Sequence, residues 1–165
     1  MNSTDTIDNT QLFMSLALEL AQTAYDNNEV PVGAVIVQRR NNEVLAAFSN
    51  QMRKLNSSIA HAEILAIQKA NKVINNERLL GCDMYISLEP CPMCAHAISV
   101  ARLDRIFFAA EDKKSGGVLN GPKIFESSSC HHKPEVSQGI MMEESSALLK
   151  KFFESKRWFK IIALQ

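Results

Sequence analysis

Leu12 and Phe13, Leu16 and Ala17, Leu20 and Ala21, Ala24 and Tyr25 recur as adjacent apolar pairs, which predicts an amphipathic first helix over "TQLFMSLALELAQTAYDN" (10–27). The period then changes. "GAVIVQ" (33–38) and "EVLAAFS" (43–49), split by the polar "RRNN", predict two strands joined by a tight turn. "HAEILAIQKANKVIN" (61–75) returns to helical spacing, with Ile64, Leu65, Ile67 and Val73 expected to be buried. "CDMYISL" (82–88) is a further strand that runs into the helix "CPMCAHAISVARL" (91–103), and "RIFFAA" (105–110) follows as another strand. This alternation implies an α/β fold, parallel strands joined by right-handed helical crossovers with helices covering the sheet. In such sheets ligands bind where strands end and helices begin.

From "EDKKSGGVLNGPKIFESSSCHHKP" (111–134) the periodicity lapses, before "EVSQGI" and a last helix from about Glu143. A loop of that length in a compact domain is a candidate substrate lid.

At 165 residues the chain reads as one domain, 1–165, and its 46% hydrophobic and 22% charged residues are those of an ordinary globular protein. No apolar run approaches the roughly 18 residues of a membrane span. The opening "MNSTDTIDNT" lacks the basic-then-apolar layout of a secretion signal, so a cytoplasmic location is expected. There the 4 cysteines are reduced, which favours metal binding or catalysis over a structural disulfide.

A net charge of zero conceals an asymmetry, because residues 1–38 carry five acids and no Lys or Arg. The basic surplus gathers near the end, where Lys150, Lys151, Lys156, Arg157 and Lys160 interleave with Phe152, Phe153, Trp158 and Phe159. Basic residues mixed with aromatics hold phosphates and stack bases, and they equally describe an amphipathic helix with a solvated face.

The sharpest chemistry lies in "SLEPCPMCAHA" (87–97). Cys91 and Cys94 fall in the first turn of their helix, where free backbone N–H groups and the helix dipole favour thiolates. Taken alone, a strand followed by C-P-x-C and a helix also fits a disulfide exchanger. "AHAEI" (60–64) supplies His61 and Glu63 at the start of the preceding helix. His61, Cys91 and Cys94 together make three ligands of the types zinc takes, leaving a fourth tetrahedral position for water. A closed site completed by Cys82 or by the "CHH" of residues 130–132 is the structural alternative; His131 and His132 are otherwise loop residues near substrate or surface. Residues i and i+2 of a regular helix point about 200° apart. His61 and Glu63 therefore converge only if His61 sits at the helix mouth. Glu63 is then a spare carboxylate beside the metal, suited to carry a proton.

His61-Ala62-Glu63 followed by Pro90-Cys91-Pro92-Met93-Cys94 matches the H-x-E and P-C-x-x-C signature of zinc deaminases that act on nucleobases. With "NEVPVGAV" (28–35), Asn50, "EDKKSGG", "CHHKPEV" and "LLKKFFESKR", nearly the whole chain resembles the bacterial tRNA-specific adenosine deaminase family. The resemblance implies a cytidine-deaminase-like α/β fold: three-layer α/β/α with a central mixed, largely parallel five-stranded sheet. It also implies one zinc ion per subunit, a tRNA anticodon stem-loop as partner, a homodimer, and adenosine-to-inosine conversion at the wobble position. In that chemistry Glu63 takes a proton from zinc-activated water and passes it to N1 as the oxygen attacks C6. Carried over by position, Asn50 and Ala62 contact the base, Pro31 and Val32 form its nonpolar wall, and Asp112, Lys114 and Phe153 meet the anticodon loop. Guanine deaminases share "HAE" and "EPCPMC", so a deaminase of guanine or another small nucleobase is the alternative; "EVPVGAV" and the terminal Phe-Phe with basic residues favour tRNA.

Overall fold

The computed structural model describes the backbone of residues 3–163 and the side chains of residues 9–157. Its elements are α1 (Ser3–Asp26), β1 (Gly33–Gln38), β2 (Glu43–Ser49), α2 (Ala62–Ile74), β3 (Cys82–Leu88), α3 (Pro92–Val100), β4 (Arg105–Ala110), β5 (Glu135–Gln138) and α4 (Met142–Ala163). A single 3-10 turn, Ile124–Glu126, interrupts the long loop before β5. Trp158, Phe159 and Lys160 of the basic and aromatic tail lie outside the residues whose side chains are described.

The sheet order is β2-β1-β3-β4-β5. β1 is antiparallel to both its neighbours, whereas β3, β4 and β5 pair in parallel. Four strands therefore share one direction and β1 alone opposes them, a mixed, largely parallel sheet. Alternation along the strands feeds two cores. On one face Ala34, Ile36, Met84, Ile86, Ile106 and Phe108 meet α2 and α3. On the other Val35, Val37, Tyr85 and Phe107 meet Phe13, Met14 and Ala17 of α1. Tyr85 stacks on Phe107 with ring centroids 4.7 Å apart. α1 crosses β1 so closely that a Cβ at Gly33 would collide with the carbonyl oxygen of Ala17.

Three helices differ from the sequence expectation. α1 begins at Ser3 rather than at Thr10. α2 buries Ala62, Ala66, Ile67 and Ala70, while Ile64 and Leu65 are half-buried and Val73 is 48% exposed. Alanines every four residues let the helix axis approach the sheet, and the larger branched side chains are pushed to its flank. α3 stops at Val100 rather than at Leu103, because Arg102 turns to φ 62°. The Leu103 N–H then reaches back to the Ile98 carbonyl, as helix ends with a left-handed residue do. α4 packs inward through Phe152, whose ring lies edge-on to Tyr25 at 6.0 Å. Its neighbour Phe153 is left 47% exposed. Among the described residues no helix is long and apolar enough to cross a membrane.

Candidate active site

Two helices begin at the same place. His61 is the N-cap of α2 and Cys91 the N-cap of α3, both in extended backbone, and neither side chain caps its own helix. Pro92 occupies the first turn of α3, where a missing N–H costs no helical hydrogen bond. The ring and the thiol are thereby free to face each other across the gap between the helices. His61 Nδ1 lies 3.7 Å from Cys91 Sγ and 3.5 Å from Cys94 Sγ. All three donor atoms fall within 4.8 Å of one another. Zn–S bonds of about 2.3 Å and Zn–N bonds of about 2.0–2.1 Å at tetrahedral angles put N and S about 3.6 Å apart. The donor set and its spacing fit zinc.

No fourth His, Cys, Asp or Glu joins this cluster among the described residues. Cys82 is buried with its thiol toward the Leu80 carbonyl. The "CHH" segment sits at the opposite end of α3. The Ser99 hydroxyl donates to the His132 carbonyl at 2.6 Å and lies 3.3 Å from Cys130 Sγ, and the His132 ring reaches the Leu103 carbonyl at 2.6 Å. The Arg102 guanidinium donates to the carbonyl of His131. These residues fasten the loop; they do not close the metal site.

The electrostatics of the cluster suit a cation. The hydrogen bond with Cys94, and after it that with His61, draws the Cys91 thiol down to about 4 in spite of its partial burial. The same hydrogen bond and deeper burial drive the Cys94 thiol upward. A divalent ion bound there would displace the thiol protons. The contact with Cys91 raises the His61 imidazole. Glu63 is 4% exposed. Burial pushes its carboxyl up to about 7, past the opposing pull of a backbone hydrogen bond and of the His61 charge.

These groups form one end of a cavity of about 500 Å³, within the range of small-molecule sites. His61, Glu63 and Cys91 line it together with the buried Asn50, while Val30 and Val32 supply apolar wall. Asp112, Lys114 and Phe153 stand along it as well. Two expected base contacts are placed differently. Pro31 is buried but is not among the lining side chains, Val30 taking that part of the wall, and Ala62 packs wholly in the core. Their neighbours on either side reach the cavity, because alternate residues of an extended segment and successive residues of a helix face different ways.

Glu89, Met52 and Ser115 also line the cavity and were not singled out by the sequence. For Glu89 a signal existed: an acid set between an apolar strand and the cysteine helix. A second cavity of about 610 Å³ adjoins through shared residues, lined by Lys114, Lys150, Phe153, Glu154, Lys156 and Arg157.

The model of the cytidine and deoxycytidylate deaminase zinc-binding region matches residues 7–110. A tRNA-specific adenosine deaminase of Rickettsia typhi is 45% identical over 144 residues, 87% of this chain and 97% of that protein. A solved tRNA:A34 deaminase, which performs A-to-I editing at the wobble position of transfer RNA, superposes with a TM-score of 0.80 at 45% identity. That match covers 83% of this chain and 98% of the other. The guanine deaminase of Bacillus subtilis is 38% identical with a TM-score of 0.58, over 67% of this chain and 66% of its own.

Proposed function

This chain belongs to the tRNA-specific adenosine deaminase family, and on that premise we propose that it converts adenosine to inosine at the wobble position of a tRNA anticodon. One observation carries the reading. The cavity lined by His61, Cys91 and Glu63 shares Lys114 and Phe153 with an adjoining one lined by Lys150, Lys156 and Arg157. A free nucleobase needs the first compartment only, whereas a base extruded from an RNA loop needs both, the second to hold flanking phosphates and stack a neighbouring base.

His61, Cys91 and Cys94 are the residues that would hold a zinc ion. When bound, zinc supplies the Lewis acidity that makes water a nucleophile near neutral pH. The chain's own residues do the rest. Glu63, a buried carboxyl beside the metal ligands, accepts a proton from the attacking water and delivers it to N1 of adenine as oxygen bonds to C6. A second proton passes to the 6-amino group, the C6–N bond breaks, ammonia leaves, and the carbonyl of inosine remains. Asn50, with a donor and an acceptor on one buried amide, orients the base edge. Val30 and Val32 exclude water beside it. Lys114 meets phosphate and the exposed Phe153 ring stacks a base next to the target, with Asp112 bracing the loop that carries Lys114.

The same family reading brings a homodimer and a cytoplasmic enzyme. Met93 and Val100, about two turns apart on α3, are both exposed and are the kind of apolar side chains that a partner subunit would cover. Light scattering tests the dimer: a mass that stays at 18.4 kDa at all useful concentrations refutes it.

The deciding assay offers the zinc-loaded protein an anticodon stem-loop with adenosine at the wobble position, and separately guanine, adenosine and cytidine. Inosine in the stem-loop supports the proposal. Turnover of free guanine alone overturns it in favour of the guanine deaminases that share this fold.

A further inference from the structure

Two glutamates that take no part in the deamination chemistry are almost wholly buried, Glu29 at 3% exposure and Glu89 at 2%. Neither forms an ion pair among the described residues. A carboxylate is costly to bury unless its oxygens are satisfied, and nearly all the donors that satisfy these two are loop backbone amides. Glu29 accepts the N–H of Arg53 at 2.7 Å and of Lys54 at 2.9 Å on a single oxygen. One oxygen of Glu89 accepts the N–H of Val118, Leu119 and Asn120 at 3.1, 2.8 and 3.0 Å. The other accepts the N–H of Asp112 at 2.9 Å and the side-chain amide of Asn120 at 2.8 Å.

The tethered segments are the two loops that line the cavity. The loop tied to Glu29 begins at Asn50 and Met52, and the loop tied to Glu89 carries Lys114 and Ser115. The second loop lies directly on its tether: a Cβ at Gly116 would come within 2.5 Å of the Glu89 Cδ, and one at Gly117 within 2.5 Å of the Pro92 nitrogen. Only glycine permits so close an approach.

We propose that Glu29 and Glu89 are positioning residues, buried anionic posts that hold the two cavity loops in their working geometry before RNA arrives. Charge-assisted hydrogen bonds to amides are strong and short, and a loop fixed in advance spares the ordering cost that binding otherwise incurs. The tethers stand on hydrogen bonding alone; their benefit to RNA binding rests on the function proposed above.

The two posts differ in how many of their oxygens are committed. Glu29 uses one oxygen, which a glutamine also offers. Glu89 commits both oxygens to five donors, and an amide there must turn its NH2 toward other N–H groups. Glu29→Gln therefore keeps its tether whereas Glu89→Gln loses one.

The experiment is amide hydrogen exchange on the zinc-loaded full chain, with stem-loop kinetics alongside. Glu29→Ala should speed exchange at Arg53 and Lys54 by about tenfold and leave Val118 to Asn120 near wild type, and Glu29→Gln should restore protection. Glu89→Gln should do the converse, releasing Asp112, which then faces the NH2, while the remaining oxygen keeps Val118, Leu119 and Asn120; Glu89→Ala should release all four. Both alanine variants should raise KM for the stem-loop about fivefold, with the loss falling on KM rather than kcat. Exchange that rises uniformly through β1 and β3, or does not rise in the tethered loop, overturns the proposal. If neither Glu89 variant folds, Glu89→Asp keeps the charge but draws it back by one methylene; unchanged exchange at Asp112 and Leu119 then overturns the Glu89 post. Local release of each loop in a protein that deaminates no stem-loop, wild type included, would uphold the tethers and sink the functional reading.

Discussion

The hydroxyl of Ser145, in the first turn of α4, donates to the backbone carbonyl of Ser87 on β3. The Ser87 hydroxyl in turn accepts the backbone N–H of Gly33 on β1 at 3.0 Å. Both serines are buried. One short chain of hydrogen bonds thus joins the terminal helix to two central strands, and β3 leads straight into Glu89 and Cys91. Phe153, two helical turns beyond Ser145, lines the cavity, and this join and the Phe152–Tyr25 contact both hold the helix that carries it.

Replacing Ser145 by alanine leaves the Ser87 carbonyl without its donor in a dry setting, a loss of about 1–3 kcal/mol. Urea unfolding should show a lower midpoint with an unchanged slope. Because Phe153, Lys150 and Arg157 ride on the same helix, KM for the stem-loop should rise as well. An unchanged midpoint would mean that α4 is held by its apolar contacts alone.

Glu63→Gln preserves shape while removing the group that titrates. Deamination should fall by about 10²–10⁴-fold, the usual share of general acid–base catalysis. Zinc content and the melting temperature of the loaded protein should stay at wild-type values. Full activity in this variant would assign proton transfer elsewhere.

Much of this was legible because its causes act through residue type. Strands β1 to β4 carry the boundaries read from the sequence, since runs of six or seven apolar or alternating residues between polar turns have few other uses. His61, Cys91 and Cys94 announce themselves because ligand chemistry admits few side chains. The buried face of α2 was misread because close packing on the sheet rewards Ala66 and Ala70 over the bulkier Val73. Glu29, Glu89 and the Ser145–Ser87 bond left little trace, for their partners are backbone groups that every residue carries. The loop before β5 has no period, and its course is fixed by contacts such as those to Glu89, Ser99 and Arg102 that leave no pattern in the sequence.

Removing a metal ligand separates stability from chemistry. Cys94→Ala deletes one of three donors at a fully buried position, so bound zinc should fall well below one per chain and deamination should vanish. Chelation of the wild type should lower its melting temperature, because binding free energy of a folded-state metal is also folding free energy. Atomic absorption and thermal melts with and without added zinc measure both. A variant that keeps a full complement of zinc would show that a further ligand substitutes for Cys94.

Acid should weaken the protein partly through Glu89. Burial alone would raise its carboxyl, but the hydrogen bonds from the Asn120 backbone and side chain, then from the Asp112 and Leu119 backbone, outweigh it and hold the group below its ordinary 4.5. A carboxyl depressed by folding takes up protons more readily in the unfolded chain. Its stabilisation is therefore complete above 4.5 and is lost as pH falls through the lower folded value. Glu89→Gln has no such proton to gain. Urea unfolding of wild type and variant, with zinc content followed at each pH, should show the widest gap in stability above pH 4.5 and a narrowing gap below it. A gap that stays constant into acid would mean that the loop depends on the shape of residue 89 and not on its charge.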